Sequence, residues 1–175
     1  KDTVAPTITF VGKYEGNTKI TSANAYTTDI NKINNLVASN NKPTLKWKYS
    51  DNRSGIKGIT TYHNKAGVTN SLDSNISSYG CSNIKACSDD STKTCCDDVI
   101  PNKGLRSSFV VVSDNAGNLT YSDTYYMLYN DAPVTTTTSD RYTLRVCTND
   151  SRCRPEGDSG FGGCQIMSCT PDPST

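Results

Sequence analysis

One stretch restricts this chain more than any other: residues 107–121, Ser-Ser-Phe-Val-Val-Val-Ser-Asp-Asn-Ala-Gly-Asn-Leu-Thr-Tyr. A β-branched apolar run leads into a polar Asp-Asn-Ala-Gly-Asn reversal, and an alternating segment comes next, over 121–129. Valine and aromatic side chains suit a pleated surface, while Asp, Asn and Gly tolerate the backbone of a tight turn. Run, turn and strand together spell a β-hairpin. The expected fold is all-β: an antiparallel sandwich rather than a helical domain.

Composition agrees. Only two glutamates occur, Glu15 and Glu156, whereas Thr, Ser, Asn, Asp and ten tyrosines are prominent. That balance opposes long helices and favours strands joined by turn-rich loops. With 34% hydrophobic residues in a chain of 175, the core must be lean. The formal net charge is +1, with lysines and aspartates interspersed, so no basic field points to nucleic acid. No apolar run approaches the ~18 residues that span a membrane. The chain opens at Lys1-Asp2 with no leader-like segment, as a mature form or an excised piece would.

Along the chain, Pro6-Thr7-Ile8-Thr9-Phe10-Val11 reads as a first strand. Leu45-Lys46-Trp47-Lys48-Tyr49 is the clearest period-two segment, with apolar side chains inward and lysines outward. Asp51-Asn52-Arg53-Ser54-Gly55 is a turn, and 56–62 resumes as a strand that Gly58 interrupts. Residues 29–39 read equally as a short helix capped by Asp29 or as a covering loop. Residues 64–105 read as a polar insertion with short strands near 75–79 and 99–105. After 129 the composition shifts at Asn130-Asp131-Ala132-Pro133. The expected division is therefore a sandwich over 1–131 and a small cysteine-rich extension, or partial second repeat, over 132–175.

Eight cysteines fall in two clusters: Cys81, Cys87, Cys95, Cys96, and Cys147, Cys153, Cys164, Cys169. An even count in polar, loop-like sequence implies disulfides and an oxidising compartment. A zinc site would need Cys-x₂₋₄-Cys pairs with histidine support, and the sole histidine, His63, stands far from Cys164 and Cys169. The first cluster is expected to staple the insertion. Four cysteines allow three pairings, which the sequence leaves open. Both clusters open with Cys-x₅-Cys, a faint internal repeat.

Three motifs occur in order: Asp2-Thr3-Val4-Ala5-Pro6-Thr7-Ile8, Ser50-Asp51-Asn52-Arg53-Ser54-Gly55-Ile56, and Val112-Ser113-Asp114-Asn115-Ala116-Gly117-Asn118. This order resembles the bacterial immunoglobulin-like repeats of large surface and adhesin proteins. Those repeats commonly open on an Asp-Thr-x-Ala-Pro linker and close on an Asp-x-Ala-Gly-Asn turn. The resemblance covers about residues 1–131 and implies a two-sheet antiparallel sandwich of about seven strands. Asp131-Ala132-Pro133 would be a worn linker to a following repeat. The chain departs from the family in its length, its stapled insertion and its cysteine-rich tail. The Cys…Trp…Cys pattern of antibody domains is not expected, because Trp47 has no cysteine on a neighbouring expected strand; Trp47 reads as core.

Asp51 and Asp114, both in Asp-Asn turns, are the calcium candidates, since carboxylate and amide oxygens grouped in inter-strand loops suit that ion. No EF-hand spacing is present, and Asx-turns account for both residues first. The pairs Asp89-Asp90 and Asp97-Asp98 carry the same two readings. Gly157-Asp158-Ser159-Gly160 matches the surroundings of a protease serine, with His63 upstream. A serine in a core-poor tail lacks the support such chemistry requires, so turn formation explains the motif. No catalytic residue and no resident cofactor are expected. Tyr121, Tyr125, Tyr126 and Tyr129 would line a sugar-binding face if they pointed outward together, or would pack across strands.

The sequence thus points to a non-enzymatic extracellular or cell-surface module, structural or adhesive, that associates with itself or with neighbouring repeats through open strand edges and forms a filament or sheet. The alternative is a carbohydrate- or host-ligand-binding accessory domain.

Overall fold

A computed structural model of the chain describes residues 1–65 and 72–130, which fall in the first of two compact units, Lys1–Ala132. The expected extension over 132–175, with Cys147, Cys153, Cys164, Cys169 and Ser159, lies outside the described residues. Among the described residues, ten strands form two antiparallel sheets, neither closed into a barrel: β1 (Thr7–Glu15), β2 (Thr18–Lys19), β3 (Pro43–Ser50), β4 (Ile56–Asn64), β5 (Ile76–Gly80), β6 (Ser82–Ala86), β7 (Thr94–Val99), β8 (Gly104–Asp114), β9 (Leu119–Tyr121) and β10 (Tyr125–Tyr129). Sheet I runs β2-β1-β3-β7-β6. Sheet II runs β10-β8-β4-β5, and β9 extends the β8 edge beyond β10.

β3 alternates as its sequence predicts: Pro43, Leu45, Trp47 and Tyr49 are buried while Thr44, Lys46, Lys48 and Ser50 are half-exposed. One core collects Leu45, Trp47, Tyr49 and Cys96 from sheet I with Val110, Val112 and Met127 from sheet II. Phe10 and Tyr125 pack against Trp47 of this core, Phe10 stacking on Tyr125 at 4.1 Å, and the exposed Tyr26 lies against both from the rim.

Several expectations need correction. Residues 64–105 are not an insertion outside the sheets. β7 is an internal strand of sheet I between β3 and β6, and β5 pairs with β4 in sheet II. The chain changes sheet at Cys81. The expected strand over 99–105 is instead the end of β7 and the start of β8. Ile100 donates to the Pro43 carbonyl, and Pro101, which has no N–H, cannot extend a ladder. Residues 121–129 are two strands, because the Ser122 hydroxyl accepts the Val110 N–H at 2.9 Å and so takes a ladder position. Residues 29–39 contain a 3₁₀ turn, Ile30–Asn35, capped by the Asp29 carboxylate accepting from Asn31 N.

Trp47 does have a cysteine beside it: Cys96 is its direct partner across β3 and β7. The pairings are nested, Cys81–Cys96 around Cys87–Cys95. Successive residues of a strand point to opposite faces, so vicinal Cys95 and Cys96 cannot serve one partner. Cys96 turns into the core toward Cys81, and Cys95 turns outward to Cys87.

Candidate functional site

Two polar constellations stand out, one at an end of the two-sheet fold and one inside it. At the end, Asp2 sits in the N-terminal linker, Asp51 follows β3, and Asp114 closes β8. Their carboxylate oxygens lie within 4.8 Å of one another. The two sequence-predicted calcium candidates are thus brought together, and Asp2 joins them. Nothing in the sequence ranks Asp2 above other aspartates except its place in the linker motif.

Each carboxylate already serves backbone donors. Asp51 Oδ2 accepts from Gly55 N at 2.6 Å, and Asp2 accepts from Val4 N at 2.9 Å and Ser54 N at 3.2 Å. Asp114 Oδ1 accepts from Ala116 N and Asn118 N at 2.9 and 2.8 Å, and its Oδ2 from the Asn118 amide at 2.8 Å. Gly117 adopts φ +94°, a region that only glycine enters without strain, which closes the turn. The Val4 N–H, against partial desolvation and the charge of Asp114, holds the Asp2 carboxyl below its ordinary range. Burial pushes Asp114 upward, but its hydrogen bonds, led by Asn118, outweigh that and keep it low.

The same contacts bind the three chain segments. The Asn118 amide reaches the carbonyls of Asp2 and Val4, Asn115 Nδ2 donates to Ser54 O, and the Thr120 hydroxyl donates to Pro6 O at 2.5 Å. Three clustered carboxylates could supply oxygens to a cation such as calcium. The Asx-type hydrogen bonds account for the arrangement without one. A groove of about 370 Å³ opens alongside, lined by Val4, Ala5, Asp51, Asn52 and Lys93 among others.

Inside the fold, His63 on β4 and Ser108 on β8 are ladder partners in sheet II, and Asp98 comes from β7 of sheet I. The imidazole Nε2 lies 2.7 Å from Asp98 Oδ1, and the Ser108 hydroxyl donates to Asp98 Oδ2 at 2.5 Å. All three side chains are buried, and His63 stacks on Tyr79 at 4.3 Å. These are the residue types of a hydrolase triad in a different order. In a triad the imidazole stands between serine and carboxylate so that it can take the serine proton. Here the carboxylate stands in the middle, and its two oxygens join the two sheets.

The tyrosines divide by strand alternation. Tyr125 and Tyr129 turn inward, so 121, 125, 126 and 129 do not form one exposed face. A different row lies on the outer face of sheet II. Tyr62 stacks on Phe109 at 5.1 Å, and Phe109 on Tyr121 at 6.5 Å, with Tyr121 64% exposed. The sequence hid Tyr62 and Phe109, since each belongs to a strand whose register had to be known. Sheet I is the opposite on its outer face: Lys46 pairs with Asp97 at 2.9 Å and lies over the Tyr14 ring, and Lys48 pairs with Asp89. The Lys48 ammonium, first through its hydrogen bond, draws the Asp89 carboxyl below its usual range.

Among the described residues no helix is long and apolar enough to cross a membrane. A scan against protein-family models finds none that matches the chain, and a search of curated proteins likewise finds no match.

Proposed function

We propose that this chain is a non-enzymatic module of a secreted or surface-exposed protein, with an immunoglobulin-like sandwich as its body. The observation that carries the reading is the meeting of the three family-like motifs: linker, β3–β4 turn and β8–β9 turn close on one another through Asp2, Asp51, Asp114 and Asn118. Strand order supports it too. β1-β3-β7-β6 against β10-β8-β4 follows the four-plus-three partition of immunoglobulin-type sandwiches, with β5 added beside β4.

Among the described residues, His63, Asp98 and Ser108, which resemble catalytic groups, are spent on cohesion, and two disulfides brace the β5–β7 region, as suits an oxidising location. The module's work is mechanical and interfacial: a stiff body held between neighbours or copies. The test is intact mass before and after reduction and alkylation, on chain made in an oxidising compartment. A deficit of eight hydrogens supports the reading. Free thiols throughout, or a mass excess matching bound zinc, would overturn it.

A second reading, a carbohydrate- or host-ligand-binding accessory domain, draws on the outer row of Tyr62, Phe109 and Tyr121. Glycan binding that Tyr121→Ala abolishes would favour it over a purely structural role.

A further inference from the structure

The strand edges of this fold are not equally protected. In sheet I, β2 pairs with only Tyr14 and Glu15 of β1, and the rest of the β1 edge is broken by the register shift between Phe10 and Gly12. The β6 edge carries a register break between Ser82 and Lys85, a left-handed Asn83 at φ +52° and an exposed lysine. In sheet II, the β10 edge is covered: Thr27 and Tyr126 exchange two backbone bonds, and Ser39 bonds Leu128 and Asn130. β9 has three residues. Shortness, bulges, lysines and covering segments are the usual devices against unwanted strand pairing. β5 has none of them among the described residues. It holds continuous register with β4, contains no charge and no proline, and among the described residues has no strand on its other side.

The direction of its free groups is set by the ladder. Lys65 N donates to Asn75 O, so 65 with 75, 63 with 77, and 61 with 79 are the hydrogen-bonded pairs. Ser77 and Tyr79 therefore spend their backbone groups on β4. Ile76, Ser78 and Gly80 direct theirs away from the sheet.

We propose that the β5 edge is the self-association site of this protein and that its occupant is β5 of a second copy, antiparallel and centred on Ser78. The inference rests on the reading of the chain as a module that pairs with its own kind. Centred there, Ser78 faces Ser78 of the partner, and Ile76 faces Gly80. All the outward-directed residues then fall in hydrogen-bonded pairs, two bonds per pair over three pairs. The exposed Ile76 side chain meets a glycine and finds room, and the uncharged segments bring no like charges together. A two-fold edge pairing is self-complementary. A five-residue edge falls well short of the ~800 Å² per partner of a standard interface, so association is weak and depends on concentration.

The experiment is sedimentation of the full chain up to about 1 mM, comparing wild type with Ser78→Pro, Ser78→Lys and Ser78→Glu. Proline removes an edge-directed N–H and no bond to β4, so the fold survives while pairing is lost. The charged variants place like charges opposite each other and weaken self-association by about fivefold. An equimolar mixture of the lysine and glutamate variants restores it, because the two substituted residues face one another. Association that persists unchanged in Ser78→Pro, or that the mixture does not restore, overturns the β5 assignment and leaves the module reading standing. A wild type that stays monomeric throughout overturns the edge and self-association together.

Discussion

Two aspartates of this fold are almost completely buried, Asp98 at 1% exposure and Asp114 at 0%, and they are satisfied in opposite ways. Asp114 is served from its own turn: its acceptors meet amides two and four residues on. Asp98 is served by side chains of the other sheet, His63 at a separation of 35 residues and Ser108 at a separation of ten. The first arrangement belongs to a turn and would form in any chain that makes that turn. The second exists only when two sheets are stacked in one register. A buried charge with partners of this kind adds little net stability over an apolar core, yet removing one partner is costly. Asp98 therefore makes the stacking specific, whereas Asp114 makes a local reversal cheap.

The largest expected effect breaks that contrast from the core side. Asp98→Ala strands a buried histidine and a buried hydroxyl, and urea unfolding should show a loss of about 3–5 kcal/mol. Opening the outer of the nested disulfides, with Cys81 and Cys96 both changed to alanine, removes another long-range tie. Closing a loop of its 15-residue separation predicts a loss of about 3 kcal/mol. A loss well below that would assign the cohesion of this region to hydrogen bonds alone.

A third buried charge sharpens the comparison through pH. Lys13 is 1% exposed and donates to Ala25 O at 2.9 Å, and burial pushes it down from 10.5 to about 8, partly offset by Glu15. Below pH 8 the lysine is protonated in both folded and unfolded chains, and its cost is constant. Between 8 and 10.5 the unfolded chain holds the proton that the folded chain has lost, so stability rises with pH. The full rise is roughly 3 kcal/mol or slightly more. Burial raises Tyr49 and Tyr125 above their ordinary 10, which opposes the trend at the upper end, so the clean window is pH 8 to 10. Stability measured across it should climb in wild type and stay flatter in Lys13→Met.

The smallest effect tests the turn. Asn118→Ala removes the amide that reaches Asp114, Asp2 and Val4, and should cost about 1–2 kcal/mol.

Legibility in the sequence divides along the same line. The β3 alternation, the hairpin around 107–121 and the turns at Asp51 and Asp114 depend on residues close in sequence, and the chain spells them out. β7 does not announce itself. Thr94-Cys95-Cys96-Asp97-Asp98-Val99 puts a cysteine and an aspartate on each face, so hydropathy shows no alternation although Cys96 and Asp98 are buried. It reads as loop, yet it is an internal strand. Lys13 hides for another reason. The register shift between Phe10 and Gly12 changes the facing of the second half of β1 and turns a lysine inward opposite Leu45. The acidic cluster was half legible: Asp51 and Asp114 carry turn signatures, but their meeting with Asp2 depends on where the linker docks. The nested disulfides needed the knowledge that Cys95 and Cys96 lie on a strand.

The most direct test of the claim that Asp98 joins the two sheets through His63 is a double-mutant cycle in urea, with His63→Leu, Asp98→Leu and the pair. The account predicts that each single substitution is strongly destabilising and that the pair costs less than their sum by about 2 kcal/mol or more, since neither leaves the other's group stranded. Losses that simply add, within about 0.5 kcal/mol, would mean that the two residues act independently and that the His63–Asp98 contact does not tie the sheets together.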